Sequence, residues 1–184
     1  MQLYNKLSAE ERAALIEEAG KERLTISFYK YAKIGNPQIL RNHLFLAWDE
    51  LEVLGRIYVA KEGINAQLSV PAELFNDFKK HLDSISFLEN VRLNIAIEHD
   101  DFAFLKLKVK VRDKIVADGL NDDAFDVTNK GIHVDAATFN ELIEDPNTVL
   151  VDMRNHYESE IGHFKNAITP DVDTFRDSLP IIEC

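Results

Sequence analysis

Cysteine is almost absent from this chain. The one it has, Cys184, is the last of 184 residues, so no internal disulfide can form and a reducing, cytoplasmic setting is expected. No apolar run approaches the roughly 18–20 residues of a membrane span. The opening MQLYNKLSAEERAALIEEAG carries charge where a signal peptide has its apolar core. Neither G-x-x-x-x-G-K-[ST] nor G-x-G-x-x-G occurs, so no phosphate-cradling glycine loop is expected. His43, His81, His99, His133, His156 and His163 never reach metal-ligand spacing with a cysteine or with one another, so no metal is expected. No cation or helix start is placed beside Cys184 to activate its thiol.

Positive charge is also scarce: 21 Lys+Arg stand against 32 Asp+Glu, a net −11. The deficit is local. Residues 119–184 hold 4 Lys+Arg and 14 Asp+Glu, whereas residues 1–118 hold 17 and 18. The acidity therefore says little about what the first two thirds can bind. With 46% apolar and 29% charged residues, the composition is that of a soluble globular protein.

What is present is a clear order of elements. Ser8 with Glu11 three residues on predicts a capped leading helix over 7–20. LTISFYKYAKI (24–34) reads as a strand. Gly35-Asn36-Pro37 opens a helix over 37–53, with Ile39, Leu40, Leu44, Ala47, Trp48 and Leu51 on one side and Gly55 as its terminator. Runs 56–60 and 64–70 flank Lys61-Glu62-Gly63, which reads as a hairpin turn with Gly63 at positive φ. A helix over 72–84 and a strand over 91–98 follow. The order is β-α-β-β-α-β plus one strand, an α+β, ferredoxin-like split βαβ arrangement with two helices on one sheet face. The predicted divisions are a leading helix (1–23), this domain (24–125, with a cut near 125–130) and a second unit (126–184). The second unit begins with a linker and a helix near 135–144 capped by Asp135, then an apolar strand over 149–151.

The extra strand is the unusual one. In FAFLKLKVKVRDK (102–114), Leu105, Leu107, Val109 and Val111 alternate with Phe104, Lys106, Lys108, Lys110, Arg112 and Lys114. Period two means one face buried and one wet. By parity, the wet face of the sheet would also hold Ser27, Tyr29, Tyr31 and Lys33; Arg56 and Tyr58; Asn65 and Gln67; Arg92 and Asn94. In the first strand, Ile26, Phe28 and Lys30 alternate equally well, so its parity stays open. Cations beside aromatics suit single-stranded nucleic acid, with phosphates on Lys and Arg and bases on rings. The alternative is edge protection, since lysines also blunt a sheet edge against unwanted pairing.

A second cluster is VDMRNHYESEIGHF. Asp152 and Arg154 sit two apart after a strand, and Glu158 lies four beyond Arg154, at the spacing of a helical ion pair. Such a network could equally be a clamp on a loop. Glu62-Gly63-Ile64-Asn65 reads as turn chemistry.

The strings ISFYKY (26–31), EGINAQLSVP (62–71), LKVKVRDKIVADG (107–119) and VDMRNHYESEIGHFKNAI (151–168) resemble the bacterial rhodanese-domain tRNA uridine(34) hydroxylases, over about Leu24 to Pro180. The resemblance implies an acylphosphatase-type, ferredoxin-like domain followed by the start of an α/β rhodanese-like domain. It implies oxygen-dependent 5-hydroxylation of the wobble uridine of tRNA, with molecular oxygen as co-substrate; the sequence itself shows no flavin, haem or iron-ligand pattern, so no small-molecule cofactor is evident. Asp152, Arg154, Glu158 and His163 match the motif that supports the rhodanese active-site region. The family's candidate catalytic cysteine, in a C-x-G-G-x-R loop, is expected beyond Cys184, so the chain reads as a fragment without that loop. On this reading Lys106, Lys108, Lys110 and Arg112, with Tyr29, Tyr31 or Tyr58, contact a tRNA anticodon stem-loop. The alternative is a rhodanese-type sulfurtransferase whose first domain binds a partner.

Overall fold

A computed structural model describes residues 8–20, 22–97, 103–115 and 131–182. The chain divides into two compact units, Met1–Val116 and Ala117–Cys184. The expected domain cut near 125–130, the linker up to residue 130 and Cys184 lie outside the described residues.

The first unit begins with α1 (Ala9–Ala19), whose capping box forms as its sequence requires. Ser8 Oγ accepts from the Glu11 N–H, and Glu11 accepts from the Ser8 N–H at 2.7 Å. The five strands are β1 (Arg23–Tyr31), β2 (Leu54–Ala60), β3 (Gly63–Pro71), β4 (Asn94–Ile95) and β5 (Leu107–Val111). They lie in the order β4-β1-β3-β2-β5. The first four pair antiparallel, as a split βαβ sheet does, and β5 adds to the outer side of β2 in parallel. Helices α2 (Pro37–Glu50) and α3 (Phe75–Asp83) join the strands, and a 3-10 turn over Ala72–Leu74 leads into α3.

The register settles the open parity of β1. Ile26 and Phe28 face inward with Ile57, Val59, Ile64, Ala66, Leu68, Val70, Leu107 and Val109, and pack against Leu44, Trp48, Phe78 and Leu82. Thr25, Ser27, Tyr29 and Tyr31 therefore occupy the other face. Fully burying an aliphatic or Phe side chain is worth about 1.5–3 kcal/mol, so a one-residue slip of any strand would expose several such groups at once.

Several boundaries differ from expectation. Helix α2 stops at Glu50, three residues short, and Glu52 takes the left-handed φ of 54° there. Gly55 does not terminate the helix. It sits inside β2 at φ +151°, where a Cβ would come within 2.5 Å of the Leu68 Cα. Gly63 does hold a positive φ of +153°, and its added reason is close approach: a Cβ would lie 2.2 Å from the Lys30 carbonyl oxygen. On α2, Ile39 is 66% exposed rather than on the apolar side. Among the described residues, the strand expected over 91–98 is Asn94–Ile95 and that over 102–114 is Leu107–Val111, where ladder partners stand opposite in Ile26–Ser27 and Gly55–Val59. Strand β1 ends at Tyr31, so Lys33 lies past it.

Arg41 of α2 ties β5 down, its Nε donating to the Val109 carbonyl at 2.9 Å. Under α2 and α3, the Nε1–H of Trp48 donates to Nδ1 of His81 at 3.0 Å, and the Nε2 atoms of His81 and His43 lie 3.2 Å apart. With Nδ1 accepting, neutral His81 carries its proton on Nε2. Burial, and secondarily His43, hold the His81 pKa below its ordinary 6.5. The unfolded chain then takes up this proton first. Stability from the site is complete above about pH 6.5 and declines as pH falls toward the lower folded value. Urea midpoints followed by the single Trp48 should therefore drop between pH 7.5 and 5.5, and less so in His81→Gln. An equal drop in both proteins would contradict the assignment.

In the second unit, α4 (Ala136–Glu144) starts at Asp135, which accepts from the Thr138 N–H at 2.9 Å. It is followed by α5 (His156–Ile161) and α6 (Phe175–Ile182). The apolar strand expected over 149–151 is one parallel bridge between Val151 and Ile168, and Val149 is 71% exposed. A lone bridge among the described residues supplies no ladder to extend it.

Candidate nucleic-acid interface

The polar face of the first unit is organised in cross-strand rows. One row runs Asn94, Ser27, Gln67, Arg56, Lys108. The next runs Tyr29, Asn65, Tyr58, Lys110. The Tyr29 and Tyr31 rings meet edge-on at 6.3 Å, and the Arg112 guanidinium lies 5.4 Å from the Tyr58 ring centroid. Arg56, Gln67, Lys108, Lys110 and Arg112 are exposed, as is Tyr29 at 52%, while Tyr31 and Tyr58 are half-buried. The structure thus brings six of the seven sequence-predicted residues onto one wet surface. Lys106 shares the parity but is half-buried just before β5, and it attracts Glu10 of α1. Arg92 and Lys33 lie outside any strand.

This face is not uncovered from end to end, as two helices on the opposite side would suggest. Leu15, Ile16 and Ala19 of α1 line a cleft with Arg12, Arg23, Glu52 and Leu54. Arg23 and Ser69 belong to the polar face yet are buried there. The Arg23 guanidinium donates to Ser69 Oγ at 3.1 Å and to the Glu52 carbonyl at 2.6 Å. Phe104 lines a second cleft with Thr25 and Ser27, and Gln67 at its margin stays exposed. At the other end Ile115 is buried, its N–H donating to Glu62 Oε1 at 2.7 Å and its carbonyl accepting from Asn65 Nδ2 at 3.4 Å. Glu62 is therefore more than turn chemistry: it pins the exit of β5. What stays open is the strip between these covers, holding the two rows above.

In the second unit, Arg154 forks onto Asp152. Its Nε lies 2.9 Å from Oδ1, its Nη2 2.6 Å from Oδ2, and Nη2 also donates to the Gly162 carbonyl at 2.6 Å. Glu158 does not form the helical pair its spacing suggested, because α5 starts only at His156. Its carboxylate instead caps the Asn155 N–H at 3.3 Å. His163 Nδ1 lies 2.9 Å from the Ser159 carbonyl, so it donates there. Asp152, Arg154, Gly162 and His163 line a cleft of about 590 Å3 with Phe139, Leu150, Met153 and Phe164. The side-chain hydrogen bonds from Arg154, then its backbone N–H, hold the Asp152 carboxyl down at about 2.

The first unit has the strand order and helix placement of the ferredoxin-like α+β class, with an added parallel strand that carries the cations. The model of the UPF0176 acylphosphatase like domain matches residues 23–115, and the chain belongs to that family. It is 53% identical over 180 residues to the tRNA uridine(34) hydroxylase of Leptospira interrogans, which covers 98% of this chain and 49% of that protein. It is 48% identical to the enzyme of that name from Salmonella newport, over 97% of this chain and 51% of that one. Against the Yersinia pestis protein of the same name the figures are 49%, 97% and 51%. The chain thus spans about half the length of these curated relatives.

The Asp152 shift sets a test. Its folded pKa lies below the unfolded one, so stability from the fork is complete above about pH 4 and is lost as pH falls toward 2. In Arg154→Gln the Asp152 carboxyl carbon, followed by NMR, should titrate closer to the ordinary 3.8. An unmoved midpoint would show that Arg154 does not hold it.

Proposed function

We propose that the full-length protein is a tRNA-modifying enzyme that places a hydroxyl on C5 of the wobble uridine with molecular oxygen, and that the first unit holds the anticodon stem-loop on its polar sheet face. The second unit is then the opening of a rhodanese-like domain. Asp152 and Arg154 brace the loop between its first strand and α5, Glu158 caps that helix and His163 ties it down. The reaction itself falls to the cysteine loop that follows in the family's longer members. On this assignment the protein works in the cytoplasm, where tRNA is. No helix among the described residues is long and apolar enough to cross a membrane.

The observation that supports the reading is the register. It gathers Arg56, Lys108, Lys110 and Arg112 beside Tyr29 and Tyr58 on an exposed strip, in a chain whose net charge is −11. Edge protection alone would explain lysines on β5. It leaves unexplained Arg56 on the adjacent inner strand and tyrosines in the next row. A relative's name, tRNA uridine(34) hydroxylase, supplies the polyanion such a surface suits.

Binding of a synthetic anticodon stem-loop should weaken steeply with salt, since each neutralised phosphate contributes a slope of about −0.7 to −0.9 in log K against log salt. The triple change Lys108→Gln, Lys110→Gln, Arg112→Gln should cost at least about tenfold, whereas Lys79→Gln with Lys80→Gln on α3 should change little. Salt-indifferent binding, or equal losses from both sets, would count against the assignment. For the full-length protein, tRNA from a deletion strain should lack 5-hydroxyuridine by mass spectrometry.

A further inference from the structure

The open strip is small, and its size constrains what lies on it. It is bounded by α1 beside Arg23 and Leu54, by the cleft that Phe104 shares with Thr25 and Ser27, and by Ile115 beside Glu62 and Asn65. Between these covers remain the row containing Arg56 and Gln67 and the row containing Tyr58 and Asn65. Neighbouring strands lie about 4.8 Å apart and alternate residues about 6.6 Å apart. From β1 to β5 the strip is therefore about 15 Å across and about 7 Å from row to row.

The charge is placed asymmetrically on this strip. Lys108 and Lys110 of β5, then Arg112 just past its end, follow one another at one side, with Arg56 next to Lys108. The rings and amides lie inward: Tyr58 and Asn65, then Tyr29, in one row, and Gln67 in the other. Arg112 lies over the Tyr58 ring, so its guanidinium plane extends the stacking surface toward the cation edge.

From this arrangement, and resting on the RNA-binding reading above, we infer that the strip takes an unpaired stretch of two or three nucleotides. Its sugar–phosphate backbone runs along β5 on Lys108, Lys110 and Arg112. Its bases point across β2, one toward the Tyr58–Asn65–Tyr29 row and the next toward Arg56 and Gln67. A duplex fits neither condition. Its bases stack on each other and are closed to the tyrosines, and its two phosphate ribbons need cations on both sides of the strip. Among the described residues, the β5 side alone has a line of them; the β1 and β4 side offers Ser27, Tyr29 and Asn94, with Arg92 as a single exposed cation just before β4.

The chain is titrated, by fluorescence anisotropy, with labelled oligouridylates of one to eight nucleotides, a blunt RNA duplex of 12 pairs and the anticodon stem-loop. Affinity should rise steeply to about three nucleotides and then level, with a salt slope near −2 from three phosphates at about −0.7 each. The duplex should bind at least about tenfold more weakly than the hexamer. Tyr58→Leu should lose about 5- to 150-fold on the hexamer. Tyr29→Ala, at an exposed position that leaves the core intact, should lose affinity too. Urea midpoints confirm that each variant is folded. A duplex that binds as tightly as the hexamer while the stem-loop still binds, or full hexamer affinity in both tyrosine variants, overturns this inference and leaves the broader assignment standing. Failure of the stem-loop, the oligonucleotides and the duplex alike overturns both.

Discussion

The polar surface depends on the packing that lies behind it. Ile26, Phe28, Ile57, Ile64, Leu68 and Leu107 are buried against Trp48 and Phe78, and each fixes the parity of its strand. Since alternate side chains point to opposite faces, the core fixes the outer rows as well. Tyr58 cannot face the core without bringing Ile57 out of it. The cation–tyrosine strip is thus the reverse side of the hydrophobic core, held in register by the same burial energy.

Acidity and the basic strip are compatible for a related reason. Most of the surplus negative charge sits after residue 118, where 14 Asp+Glu meet 4 Lys+Arg. Residues 1–118, which hold the strip, are close to neutral at 17 Lys+Arg against 18 Asp+Glu, so the local group of four cations sets its own potential. Two other cations of this face are engaged elsewhere: Lys106 attracts Glu10, and the Arg23 guanidinium is buried on Ser69 and the Glu52 carbonyl. On the sheet's polar face, Arg56, Lys108, Lys110 and Arg112 face solvent near the rings.

Local features were the most legible in the sequence. The Ser8–Glu11 box, the Asp135 cap, the hairpin at Gly63 and the period-two run of β5 each follow from chemistry within a few residues. Strand ends were not, because a strand lasts only while its neighbour offers a ladder, and the neighbour's length is a tertiary fact. Gly55 shows the same limit: it looked like a helix terminator, and its role is to let β2 approach β3. At the polar face, the parity of β5 was readable, but that of β1 stayed open until its register with β3 fixed it, and the covers were not readable. Nothing near Ser8 signals that the leading helix lies by Arg23, and nothing in Glu62-Gly63 signals a carboxylate reserved for Ile115, 53 residues on. In the second unit the Asp152–Arg154 pair followed from spacing, whereas Glu158 went to the cap because helix α5 begins two residues after Arg154.

The central claim is that the sheet's polar side, and not the side bearing α2 and α3, receives RNA. Backbone and side-chain NMR shifts, recorded while an anticodon stem-loop is added to isotope-labelled protein, test it most directly. The account predicts that perturbations gather at Tyr29, Arg56, Tyr58, Gln67, Lys108, Lys110 and Arg112. Perturbations centred on His43, Lys79 and Lys80 across the helices, with the strip unmoved, would contradict it.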